Sequence, residues 1–312
     1  SVPIEGIIDN KISDFDLVFN VIKKNIYSIE QKLNFTFKEV ILIIDNFDCS
    51  LINFSGYKKL NGSQLLKENI TYLLNSLKFK IDETEKNKKI LHIFNSKFLL
   101  DKKSIDNLPL GLFGNFYSHE LSFFLIDNND YKNLNNILNK CNLKIKKIIS
   151  KNFIEGANLT DQNKNLKAFF KIEINKENSE ILFFEDSSLK FIQEFKFGSN
   201  LIIKDISKVT GLQIDEVKDI LNDENFLKNN FEDENIEKKF FKVSNFRRIK
   251  KKLIKEIADS RIQEIAEIIM LKNTNLFSFL KSNVSVFLMI NDETIYLKFR
   301  DSYKIFFSQN SK

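Results

Sequence analysis

Apolar residues recur at helical spacing over residues 15–33, where Phe15, Val18, Val21, Ile22, Ile26 and Ile29 share one face, so an amphipathic helix is expected there. The unbroken apolar run at 40–44 predicts a buried strand instead. Gly56 and Gly62 mark turns. Residues 63–78 return to helical spacing, with Ser63 placed to cap the first turn. The charged stretch 82–89 reads as a loop, and 90–100 and 122–127 as strands. Between those strands lies a turn-rich apolar segment, residues 108–114. A helix over 130–141, a strand over 144–149 and a helix opening over 153–159 follow.

The most informative stretch is 167–189, KAFFKIEINKENSEILFFEDSSL. It predicts two apolar strands joined by a tight polar turn, with a second turn at Glu185-Asp186-Ser187-Ser188. Residues 198–209 lead into one helix and 214–221 form another. A charged connector, 223–239, precedes a long amphipathic helix over 249–271, with Ile254, Ile257, Ile265, Ile268 and Ile269 on its apolar side. Residues 284–290 and 294–299 read as strands. Strands and helices without strict alternation and without an internal repeat imply an α/β or α+β protein of several subdomains.

Composition narrows this picture. The 312 residues suffice for two lobes, each with its own core. With 43% hydrophobic and 29% charged residues, the chain belongs with folded rather than disordered proteins. Two Pro, eight Gly and 32 Phe, beside abundant Lys, Asn and Ile, are the mark of an AT-rich coding bias. Single Lys and Asn residues therefore carry little functional weight. The net charge of +6 is spread among interspersed acids, so no nucleic-acid-binding face is expected. The one basic run, Arg247 to Lys252 with Lys255 beyond it, reads either as a solvated helix start or as a partner surface. Cys49 and Cys141 form no CxxC pair, which fits a reducing cytoplasm. His92 and His119 have no companions at metal spacing, so no zinc site is expected. No apolar run approaches the roughly 18 residues of a membrane span. Ser1 opens directly into domain-like sequence, so the natural N-terminus is expected to lie upstream.

Several short segments then fall into an order. Gly6-Ile7 with Ile12 and Asp14 fits Gly-Ile-x-x-Gly-x-Ile-x-Asp, with Asn10 for the second Gly. Residues 91–94 and 98–101 (LHIF, FLLD) form one signature, and 107–114 (NLPLGLFG) fits Asn-Pro-Leu-Gly-Met-x-Gly with one residue inserted. In the hairpin, Glu173, Asn175, Ser179 and Glu180 stand where Asp-x-Gly and then Thr-Asp would bind phosphate and a metal's water. Gly198-Ser199 and Lys204-Asp205-Ile206 fit Gly-Gly-x-x-x-Thr-x-Asp-Ile-Ala, with Ser199 and Ile203 for the second Gly and the Thr. Residues 217–221 replace an Ala-Glu-x-Ile-Lys stretch, ending in the apolar Leu221. Residues 261–265 match Arg-Val-x-Glu-Ile, and 286–291 replace Val-x-Leu-Thr-Gly-Gly, ending in Asn291 without either glycine. Taken together, these segments resemble the bacterial cell-division family FtsA, over nearly the whole chain.

The resemblance implies an actin-like (ribonuclease-H-like), two-lobed α/β fold carrying the family's inserted 1C subdomain. Residues 1–36 and 128–164 would form the first-lobe core and 37–127 the insertion. Residues 165–203 and 257–312 would form the second-lobe core, and 204–256 its small subdomain. It implies an adaptor that links FtsZ polymers to the inner membrane, self-associates into actin-like filaments and recruits downstream division proteins through the insertion. The place implied is the cytoplasmic face of the membrane at the division site. The family's first phosphate loop and its C-terminal membrane helix are not in this sequence. ATP and Mg are the implied cofactors, at Glu173, Asn175, Ser179, Glu180, Gly198, Ser199, Asp205 and Asn291. Loss of glycine at Asn175, Ser199 and Asn291, with Leu221, implies weak or no ATP binding. The FtsZ tail is implied at Lys250, Lys251 and Lys252, with Ile214, Val217 and Ile249 as apolar anchors. Two other readings stay open: an FtsA-related pilus-assembly scaffold of the PilM kind, and an ATPase in which Glu173, Ser179, Glu180 and Asp205 hold a metal.

Overall fold

The computed structural model describes residues 5–8, 11–45, 47, 49–227, 233–279 and 284–309. Asn10 lies outside them. The chain divides into two compact units, Ser1–Asn165 with Glu185–Lys190, and Leu166–Phe184 with Phe191–Lys312.

In the first unit, a short antiparallel pair, β1 (Ile7–Ile8) and β2 (Lys11–Ile12), precedes α1 (Phe15–Leu33). Asp14 starts this helix by accepting the Leu17 N–H at 3.0 Å. Then come β3 (Glu39–Ile44), β4 (Cys49–Lys59), α2 (Lys67–Thr84), β5 (Lys88–Leu100), β6 (Lys103–Ile105), β7 (Phe116–Asp127), α3 (Asn128–Lys140), β8 (Lys144–Ser150) and α4 (Lys151–Gln162). Strand β3 pairs in parallel with β8. The order β4-β7-β5-β6 makes a separate antiparallel sheet. Its core joins Leu73, Leu77 and Ile81 of α2 to Tyr117, Leu121, Phe123 and Leu125 of β7.

Four expectations are corrected here. Gly56 is not a turn residue: it sits inside β4, where a Cβ would come within 2.8 Å of the Leu73 side chain, so the glycine makes room for α2. Gly62, at φ +83°, does turn the chain. Ser63 does not cap α2, because its hydroxyl donates to Leu60 O. The Asn69 side chain reaches back instead and accepts the Leu66 N–H at 2.9 Å. The helix runs on to Thr84, which shrinks the expected loop to residues 85–87. Strand β3, assigned to the insertion by the resemblance, pairs with β8, so the antiparallel sheet begins at Cys49.

The second unit is built on the hairpin. Strands β9 (Ala168–Ile174), β10 (Ser179–Glu185) and β11 (Ser188–Phe195) lie in the order β11-β10-β9-β12, with β12 (Ser285–Ile290) parallel to β9. The second turn has both central residues, Asp186 and Ser187, at positive φ, as a two-residue type I′ turn requires. Helices α5 (Asn200–Thr210), α6 (Ile214–Asn222), α7 (Lys251–Ala266) and α8 (Glu293–Gln309) complete the unit. Phe170, Ile172 and Ile174 of β9 share one core with Ile202 and Ile206, Val217 and Ile220, Ile254 and Ile262, and Ile295 and Phe299 of the four helices. Two boundaries differ from the sequence reading. Helix α7 starts at Lys251 and ends in a π-helical turn over Glu267–Leu271. The expected strand at 294–299 is the first turn and a half of α8.

Candidate functional site

The residues implied at a nucleotide site meet at the mouth of the hairpin, within the second unit. Period-2 alternation along β9 turns Phe170, Ile172 and Ile174 into the core and sets Lys171 and Glu173 together on the opposite face. Both are buried, and the Lys171 Nζ donates to Glu173 Oε2 at 2.9 Å. The other carboxylate oxygen, Oε1, accepts from the Asn291 side-chain amide. That amide also donates to Asn175 Oδ1 at 2.8 Å, and the Asn291 N–H donates to Ile174 O at 2.9 Å. Glu173, Asn175 and Asn291, spread over more than a hundred residues of sequence, thus form one hydrogen-bonded group.

Gly198 and Ser199 join it through the start of α5. A Cβ at Gly198 would stand 2.1 Å from Asn175 O, so only glycine lets the two backbones meet. The Ser199 and Asn200 N–H groups donate to Asn175 O and Lys176 O at 2.9 and 3.0 Å. The Ser199 hydroxyl donates to Asp292 Oδ2 at 2.8 Å, and Asp292 Oδ1 accepts the Ile295 N–H as the cap of α8. A cleft of about 250 Å³ opens beside this group, lined by Lys176, Asn200, Lys218, Asn222, Asp292 and Thr294 against Ile203 and Leu221.

Two implied residues, Ser179 and Asp205, lie apart from it. The Ser179 hydroxyl is buried and donates to Phe197 O at 2.8 Å. Asp205, on α5, is ion-paired with Arg261 of α7. Glu180, half-buried on β10, alternates to the face of Leu182 and Phe184; Phe184 stacks on Phe169, so Glu180 lies on the same face of the sheet as Lys171 and Glu173. Among the described residues no cluster of His, Cys, Asp and Glu fits a metal ion. The residues do not fit a magnesium nucleotide as they stand. Both oxygens of Glu173 are taken, the first amides of α5 hold backbone carbonyls, and the cleft is smaller than the usual ~300–1,000 Å³ of a ligand pocket.

The sequence reading missed Lys171 and Asp292. Lys171 carried a signal: a charged residue inside an apolar strand, two positions from a carboxylate, shares a buried face with it. Discounting single lysines as coding bias hid it.

No protein-family model matches the chain. Two curated proteins do. The cell division protein FtsA of Buchnera aphidicola subsp. Schizaphis graminum (strain Sg) is 22% identical over 202 residues, 65% of this chain and 48% of that protein. The FtsA of Buchnera aphidicola subsp. Acyrthosiphon pisum (strain APS) is 23% identical over 217 residues, 69% of this chain and 51% of that protein. The chain is thus similar to bacterial FtsA proteins at 22–23% identity. It spans about half the length of the FtsA proteins it matches. Among solved structures, a chain of a PilM-PilN type IV pilus biogenesis complex superposes with a TM-score of 0.51 at 9% identity, covering 98% of this chain and 77% of that one. At that identity the likeness concerns the fold alone. The fold is actin-like α/β.

The residues that the FtsA resemblance offers to a partner divide in two. Lys250, Lys252 and Ile214 are exposed, and Lys250 lies 3.7 Å from Asp233. Lys251, Val217 and Ile249 are not available. Lys251 is buried against Glu234 at 2.6 Å, and Val217 and Ile249 are core residues with at most 5% exposure. Exposed apolar side chains on this side come instead from a loop without an apolar pattern. Val243 and Phe246 are 77% and 51% exposed. Buried Glu216 fastens their loop to α6 by accepting the Val243 and Ser244 N–H groups at 2.7 and 2.9 Å, and the Ser244 hydroxyl.

Proposed function

We propose that this chain is an FtsA-like division scaffold that works by binding partners rather than by turning over ATP. The similarity to two FtsA proteins over about two thirds of the chain carries this reading. The internally satisfied hairpin group supports the second half of it. In this reading the chain docks the C-terminal tail of FtsZ on the face of α6, the 241–250 loop and the start of α7. Lys250 and Lys252 attract tail carboxylates at the positive end of α7, and Ile214, Val243 and Phe246 receive apolar side chains. Exposed charge pairs are individually weak, so the apolar contacts must supply most of the affinity. Self-association into actin-like filaments, recruitment of later division proteins by the sheet β4-β7-β5-β6, acting as a 1C-type insertion, and a position at the inner face of the membrane belong to the same proposal. Among the described residues no helix is long and apolar enough to cross a membrane.

The test is binding of a synthetic FtsZ C-terminal tail peptide, followed by fluorescence anisotropy. Phe246→Ala is expected to weaken binding about tenfold, the scale of one apolar anchor. Lys250→Glu with Lys252→Glu is expected to weaken it more at low salt than at moderate salt. Equal affinity for wild type and all variants would remove this face as the docking site.

A further inference from the structure

We propose that the hairpin group carries its own substitutes for a metal nucleotide: the Lys171 ammonium takes the place of the cation, and the Asn175 and Lys176 carbonyls that of the phosphate oxygens. This rests on the FtsA-like reading of the hairpin and says what has become of its nucleotide site.

The cation side is the stronger. Lys171 has no exposed surface, and its ammonium sits 2.9 Å from the carboxylate that replaces the family's metal-holding Asp. A buried carboxylate needs a counter-charge and a full set of donors. Glu173 receives the charge from Lys171 and its remaining donor from Asn291. The Asn291 side chain passes the connection on to Asn175. One ammonium therefore ties β9, its turn and the end of β12 together, which is the work a bound cation does between a carboxylate and its neighbours. A divalent ion brought to Glu173 would meet this ammonium at a distance where like charges repel strongly.

The anion side is at the start of α5. The free N–H groups and the dipole of a helix start favour a negative group. Here the first amides hold Asn175 O and Lys176 O. The Glu177 carboxylate from the same turn accepts from the Asn200 side-chain amide and lies 4.0 Å from the Lys204 ammonium. The turn that would wrap a phosphate supplies the acceptors itself. Gly198 makes this possible, since any side chain there would push the turn off the helix.

The experiment is thermal unfolding of the whole chain with MgCl2 alone, with ATP alone and with both. The wild type is expected to show no shift with any of them. Lys171→Met leaves Glu173 buried and uncompensated, and its Tm is expected to fall by on the order of 10 °C. Magnesium should now raise the Tm of that variant, because the carboxylate has lost its internal cation. A merely structural lysine would not produce this gain. The double variant Lys171→Met/Glu173→Leu should recover most of the loss and lose the magnesium response. Should Lys171→Met not fold, folding of the double variant supports the proposal and its failure to fold overturns it. Stabilisation of the wild type by magnesium with ATP, or a Lys171→Met variant that melts like wild type or ignores magnesium, also overturns it. FtsZ-tail binding by the wild type, measured alongside, separates the two ideas. Loss there with the expected melts strikes the division reading alone, and intact binding with contrary melts strikes only this one.

Discussion

Two buried titratable side chains, Glu216 and His119, are expected to contribute acid sensitivity to the folded chain. Burial alone would raise the Glu216 pKa, but hydrogen bonds from Ser244, Val243 and Gln213 outweigh it and hold the carboxyl at about 2. In the folded chain Glu216 stays charged after its unfolded counterpart has begun to protonate near 4.5. Its stabilisation is therefore complete above about pH 4.5 and disappears as pH falls toward 2. Glu216→Gln is expected to speed amide hydrogen exchange at Val243 and Ser244 at pH 6, with the difference from wild type shrinking toward pH 3; equal exchange at pH 6 would contradict it. His119 has the opposite history. Burial pushes it down to about 4, so it folds neutral, with Nε2 3.1 Å from Asn95 Oδ1. The unfolded chain binds a proton near 6.5 that the folded chain refuses until about 4. Stability is thus lost as pH falls from 6.5 to 4, by up to about 1.4 kcal/mol per pH unit. His119→Phe should flatten that part of the urea-unfolding profile, and an unchanged slope would contradict the assignment. Neither role was legible in the sequence, because each depends on partners 24 to 28 residues away. Glu173, Asn175 and Asn291 were legible as members of one group, but the pairing that defines the group's chemistry came from Lys171.

Elements were read well where periodicity was long and poorly where it was short. Helix α1 matches its expected limits because six apolar positions and a capping Asp14 agree. The first turns of α8 failed because Ile295, Leu297 and Phe299 alternate as a strand would. The period that decides is Ile295, Phe299, Tyr303 and Phe307, which face the core, while Leu297 is 68% exposed. Strand β4 was lost to its glycine. Gly56 lies under Leu73 and Leu77, so Gly56→Val should overpack α2 against the sheet and cost about 1–3 kcal/mol. Chemical denaturation that finds Gly56→Val as stable as wild type would show that α2 does not press on β4. Gly198→Ala should cost more, since its Cβ meets backbone rather than a movable side chain.

At the scale of the whole molecule, the actin-like fold was legible from motif order even though no motif is intact. The same motifs, read for their missing glycines, imply weak ATP binding, and the hydrogen bonds within the hairpin group support the proposal that follows from it. What remained illegible was which side chains around the basic run the fold leaves exposed. A run of lysines drew attention to Lys251, which is buried and paired, while exposed Phe246 and Val243 sit in a loop with no periodic signal. The central claim is that an FtsA-like chain performs its scaffold role without a nucleotide. Co-sedimentation with FtsZ polymers, with FtsZ held polymerised by a non-hydrolysable GTP analogue and ATP either added or removed by desalting, tests this most directly. The account predicts that the chain pellets with FtsZ to the same extent in both conditions, and that Phe246→Ala reduces the pelleted fraction. Pelleting that requires ATP, or no pelleting in either condition, would contradict it.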